Sequence, residues 1–186
     1  MKGDLKMKKF IRKNESGESL FIEDDDCPMN PREWMDNLSV ITAYHKKYGI
    51  GDEEGNIDYD EFSNWNDVKK YLIAERGALH IRPLYMYEHG GIDLNIGSWK
   101  PYWDGFDAGQ LGFVYTTAEK IKKMGTPENK IDAVIEEEIK VYGDYLNGDV
   151  YGYQIEDERG NEIESCYGFY GDEGIETIKS EFKSRI

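Results

Sequence analysis

Within Leu84 to Tyr115, LYMYEHGGIDLNIGSWKPYWDGFDAGQLGFVY, one histidine stands among carboxylates: Glu88 and His89, then Asp93, Asp104 and Asp107, with Gln110 just beyond. Histidine exchanges protons near neutral pH, and nearby carboxylates orient the imidazole or hold a hard divalent cation. Such a set suits phosphodiester hydrolysis with a metal stabilising charge, or metal-free RNA cleavage by acid and base. A lone histidine beside Gly90 and Gly91 is equally an ordinary strand-end residue. Trp99, Tyr102, Trp103 and Phe106, in the same loop, stack on unpaired bases, anchor a protein interface, or pack the loop onto its own sheet. HExxH, a Walker loop, a GxSxG elbow and CxxC are all missing.

A second carboxylate is conspicuous for its position. Plotted at 100° per residue, Ile131, Val134, Ile135, Ile139, Tyr142, Tyr145 and Leu146 share one arc of a helix, and Glu138 falls near its centre. A carboxylate on an apolar face needs a partner or must keep its proton, so Glu138 is either an acid, base or metal ligand, or a structural group bonded to a neighbour. On the opposite side Glu128, Asp132 and Glu136 recur every four residues, about 6 Å apart along the axis. That pitch approximates the step between phosphates on one strand, which makes the row a candidate partner-binding face; a solvated helix face reads the same way.

These groups need elements to position them. Lys8–Lys13 and Ser19–Asp24 read as a hairpin about Asn14, Glu15, Ser16 and Gly17. Leu38–Tyr44 is an apolar strand or a short helix. Asn64 or Asn66 caps a helix through Val68 and Leu72 that stops at Gly77. Ala78–Tyr87, Ile92–Ile96 and Leu111–Thr116 are strands, and Thr117–Met124 is a short helix ended by Gly125. Thr126 caps the longest helix, with Pro127 and Glu128 in its first turn, running to Asn147. Val150–Asp157 and Glu162–Phe169 form a second hairpin, and Ile175–Phe182 a terminal amphipathic helix. The expected fold is α+β: one mostly antiparallel sheet packed on one long helix and two or three short ones. No internal repeat or low-complexity linker interrupts it.

At 186 residues the chain suits one domain with a sizeable core. No apolar run approaches the roughly 20 residues that cross a bilayer, and the lysines near the start precede no signal-like stretch, so a cytoplasmic location without membrane association is expected. Cys27 and Cys166 lack metal-site spacing and read as ordinary thiols. The net charge of −15 is unevenly spread: residues 1–14 carry six basic side chains and one acidic, whereas residues 127–186 carry six basic and 16 acidic. An acidic body repels free duplex DNA and attracts basic protein channels that normally hold nucleic acid; solubility alone would select the same charge.

The stretches SLFIEDDDCPMNPREWMDNLSVITAYHKKYGIGD, PLYMYEHGG, DAGQLGFVYTTAEKI, YLNGDVYGYQIED and CYGFYG together resemble a family of small acidic proteins of phages and mobile elements, mostly of Gram-positive bacteria. The family pattern has an acidic residue before a histidine, a Trp-Asp pair before SGQ and a glutamate in the long helix. Glu88, His89, Asp107, Gln110 and Glu138 stand at those positions, with Phe106 replacing the tryptophan and Ala108 the serine. Some such proteins resemble anti-CRISPR inhibitors of the type II-A effector nuclease. The resemblance implies a counter-defence protein whose partners are that effector and its guide RNA, disabling the guide by cleavage or occluding guide or DNA loading; an accessory phage protein unrelated to CRISPR is the remaining reading. Under the cleavage reading His89, Asp107 and Glu138 form the catalytic core, Glu88, Gln110 and Trp103 contact substrate, and a divalent cation is a possible cofactor of unspecified identity.

Overall fold

The computed structural model describes residues 8–98, 100 and 107–185. In chain order the elements are β1 (Lys9–Lys13), β2 (Ser19–Asp24), α1 (Pro31–Trp34), β3 (Val40–Ala43), α2 (Trp65–Glu75), β4 (Leu79–Glu88), β5 (Ile92–Ile96), β6 (Ala108–Thr116), α3 (Ala118–Met124), α4 (Ile131–Asn147), β7 (Val150–Glu156), β8 (Glu162–Tyr170) and α5 (Gly171–Lys183). The fold is α+β, and none of the described helices is long and apolar enough to cross a membrane. The strands form two four-stranded sheets and not the single sheet expected, in the orders β1-β2-β7-β8 and β3-β6-β4-β5, antiparallel throughout. Strand spacing along a sequence gives no register, so nothing local distinguishes one sheet from two.

The chain divides into two compact units, Met1–Pro31 with Asp144–Ile186, and Arg32–Gly143. In the first, the two expected hairpins join through β2 and β7, with Ser19 opposite Glu156 and Asp24 opposite Tyr151. Alternation along these strands buries Leu20, Ile22, Tyr153 and Ile155, and α5 covers them with Ile178 and Phe182, four residues apart on one helical face.

In the second unit, Val40, Phe113 and Tyr115 of the sheet pack with Val68 and Leu72 of α2. Asn64 starts α2 as read from sequence, its side chain accepting from the amides of Asn66 and Asp67. Thr117 and Gly125 likewise bound α3, the glycine at φ 64°. The longest helix begins later than its cap chemistry suggests: a 3-10 turn over Glu128–Lys130 follows Pro127, and α4 starts at Ile131. Its buried residues are Ile131, Ile135, Ile139 and Tyr142, four of the seven on the expected arc. Leu38–Tyr44 resolves as a strand, its pairing with β6 running from Val40 opposite Tyr115 to Ala43 opposite Gly112. Gly112 is obligatory there, because a Cβ would collide with the Thr42 carbonyl oxygen.

Candidate functional site

Three strand ends converge in the second unit. β4 stops at Glu88, β6 starts at Ala108, and the chain leaving β3 is held beside β6 by Tyr44 N donating to Leu111 O at 2.8 Å. Glu88 N donates to Asp107 O at 2.9 Å, which ties the two strand termini together. The turn through Gly90 and Gly91 then places His89 Nδ1 3.7 Å from Asp107 Oδ2. This is a loose, open pair: the side chains are 70% and 46% exposed, and the imidazole lies parallel to the Tyr87 ring at 5.7 Å.

Beside it lies a cleft of about 280 Å³ lined by Tyr44, His45, Met86, Glu88 and residues Asp107 to Leu111. Glu88 is anchored on its wall by Lys47 and by Tyr48, whose hydroxyl donates to Oε1 at 2.5 Å. The lysine first and the tyrosine second hold the Glu88 carboxyl below its ordinary value, so at neutral pH it is an anion and not a proton donor. Gln110 lines the same cleft and turns its amide to Gly112 O at 3.1 Å. His45 stacks on Tyr48 at 5.2 Å, and its Nδ1 accepts from the amides of Lys47 and Tyr48 at 3.4 and 3.3 Å. Accepting at Nδ1 leaves the neutral-ring proton on Nε2. His45 was not among the expected site residues; it stands in YHKKY, residues 44–48.

Glu138 is elsewhere. Thr116 Oγ1, at the far end of β6 from Asp107, donates to Leu38 O at 2.7 Å, and Glu138 accepts from the adjacent amides of Leu38 and Ser39 at 2.6 and 2.9 Å. Eight steps of 3.3–3.4 Å put about 27 Å between Ala108 and Thr116, the two ends of β6, so His89, Asp107 and Glu138 do not meet. Ser39 Oγ adds a bond at 2.5 Å, and Arg32 Nη1 lies 3.4 Å from Glu138 Oε2. Arg32 in turn grips Asp52 with Nε and Nη2 at 2.9 and 2.7 Å, and Asp52 Oδ2 accepts from Ile41 N at 2.8 Å. The three side chains are 13%, 2% and 8% exposed. Burial works against the Arg32 charge, but Asp52 and then Glu138 outweigh it and raise its affinity for the proton. Glu138 is the buried glutamate whose partners the helical arc demanded, and those partners are structural.

No family model, curated protein or solved structure matches this chain.

The carboxylate row, Glu128 in the 3-10 turn and Asp132 and Glu136 on α4, lies against β4. His80 Nε2 and Nδ1 are 3.1 and 3.2 Å from Glu128 and Asp132, and Arg82 Nη1 is 2.8 Å from Glu136. The row is therefore tied to His80 and Arg82 of β4 while its carboxylates stay 62% to 80% exposed. Asp93 binds Lys100 Nζ at 2.8 and 2.9 Å, giving it a partner other than His89. Trp103, with Trp99, Tyr102, Asp104 and Phe106, lies outside the described residues. Among the described residues no three His, Cys, Asp or Glu side chains are grouped to hold a metal ion.

Proposed function

We propose that this chain is a counter-defence protein of the anti-CRISPR kind that binds a type II-A RNA-guided effector nuclease and occludes guide or DNA loading, without itself cleaving RNA. The resemblance over Ser19–Asp52, Pro83–Gly91 and Asp107–Ile121 supports the class, and the net charge of −15 supports docking in a basic nucleic-acid channel. The observation that carries occlusion over cleavage is the separation of Glu138 from His89 and Asp107 by the length of β6. Cleavage by those three residues would need them around one phosphate.

The test mixes the protein with effector and guide, then reads DNA cleavage and guide length on a denaturing gel. Inhibition with an intact guide, weakening as ionic strength rises, is expected. Unimpaired cleavage with no complex formed overturns the reading. A second reading, guide cleavage in the cleft, is favoured by His45 and Asp107 lining the same cavity. It predicts a shortened guide that His45→Ala and Asp107→Ala each restore to full length while binding persists.

A further inference from the structure

Asn147 and Gly148 form the only Asn-Gly pair in the chain. In such a pair the side-chain amide carbon of the asparagine and the next backbone nitrogen are the two ends of a five-membered ring waiting to close, and glycine puts no Cβ in the way of the attack. The fold decides whether the two atoms are accessible and what a change there disturbs.

The pair stands where α4 hands over to β7. Asn147 is the last residue of α4, and Asn147, Gly148 and Asp149 are all exposed. Gly148 adopts φ 77°, its amide donates to Tyr145 O at 3.0 Å, and Asp149 N donates to Asp144 O at 2.9 Å. These two bonds close the helix in the left-handed glycine turn. A Cβ built on Gly148 would meet nothing within 4 Å, so that side of the turn is open. The Gly148 nitrogen is therefore restrained by one exposed hydrogen bond in the last turn, the part of a helix that frays most readily.

We propose that Asn147 is a site of spontaneous deamidation that alters the joint between α4 and β7. With the turn open, Gly148 N loses its proton to hydroxide and attacks Asn147 Cγ. The new N–Cγ bond closes a succinimide as the Cγ–Nδ2 bond breaks, and the side-chain nitrogen takes a proton from water and leaves as ammonia, which restores the hydroxide. Water then opens the imide at either carbonyl and gives aspartate or isoaspartate. Both products disturb this joint. Each adds a carboxylate at the negative pole of α4, close in sequence to Asp144 and Asp149. Isoaspartate also inserts a methylene next to a two-residue connection that has no slack, since Asp149 O accepts from Gly171 N and Val150 O from Asp25 N, each at 2.8 Å. This inference is independent of the effector-binding reading.

The purified full chain, aged in mildly alkaline buffer and digested, tests it by peptide mass spectrometry. Expected is the mass gain of amide-to-acid conversion at Asn147, ahead of every other asparagine and at a rate that rises with hydroxide concentration. Asn147→Gln should remove that leading conversion. A freshly prepared Asn147→Asp variant reads the consequence: a melting temperature lower by about 2–4 °C and faster hydrogen exchange at the Asp149 amide. An Asn147 peptide that keeps its mass in the folded protein but converts in urea overturns the site, as does conversion spread evenly over the asparagines. An unchanged melting temperature and unchanged Asp149 exchange, in both the variant and the aged protein, overturn the effect on the joint.

Discussion

Glu138 shows how one residue decides between two accounts of a protein. Its two oxygens accept two backbone amides and a hydroxyl, and Arg32 lies against it, so it completes a buried network that also secures Asp52 and β3. Truncation to alanine leaves Arg32 with less compensation and two amides without their acceptor, a loss of about 3–5 kcal/mol measurable by urea unfolding. Glu138→Gln keeps acceptor capacity and should cost less. A pH prediction belongs at the same scale. The Tyr167 hydroxyl donates to Glu23; that bond first, and burial second, push the phenol up to about 12. An unfolded tyrosine titrates near pH 10, so the raised folded value means that the contribution is complete below about pH 10 and disappears as pH rises through about 12. The stability difference between the wild type and Tyr167→Phe should therefore shrink across that interval. The chemistry of Glu138 was legible as a need for partners, because helical periodicity exposes a carboxylate on an apolar arc. Which partners was not legible, since Arg32 and Asp52 are about a hundred residues away in sequence.

At the level of elements, the sequence carried the signals that act over a few residues. Asn64, Thr117 and Gly125 bound their helices as their side chains and backbone freedom require. Thr126 does not, because Pro127 leads into a 3-10 turn and the helix starts only at Ile131. Most strands were readable, although β6 starts at Ala108 and not Leu111 and Leu38–Tyr44 was open between strand and helix; their division into two sheets was not, for partner choice is a long-range property. Gly112 illustrates the difference, since its need for an absent side chain arises only once β3 lies alongside. Gly112→Ala should destabilise the protein by about 2 kcal/mol or more through displacement of β3, with faster hydrogen exchange at Tyr44, whose amide donates to Leu111 O of β6. Gly109→Ala, where a Cβ would meet nothing within 4 Å, should stay within about 0.5 kcal/mol.

Across the whole molecule, charge and topology give different kinds of information. The excess of carboxylates governs encounter with partners, and its effect on association should fade with salt, whereas a Glu138 substitution should alter stability at every ionic strength. The expected residues fall into two groups: His89 and Asp107 sit at one end of the sheet with Glu88 and Gln110, joined by His45, and Glu138 belongs to the other end. Sequence proximity supplied the first group because a single hairpin and its neighbour hold it. Only three-dimensional pairing could exclude the last.

The pairing of β2 with β7 sets a timetable for the nascent chain. Asp24 leaves the ribosome about 125 residues before Val150, and at 5–20 residues per second the first hairpin waits roughly 6–25 s for its partner strand. Throughout that interval Leu20 and Ile22 lack β7 and α5, whose Tyr153, Ile155, Ile178 and Phe182 bury them in the folded protein. A transient chaperone client is the expected state of this chain during synthesis. A circular permutant that begins at Gly148, in the exposed turn between α4 and β7, and rejoins the old termini should shorten the wait and accumulate more folded protein in chaperone-depleted translation.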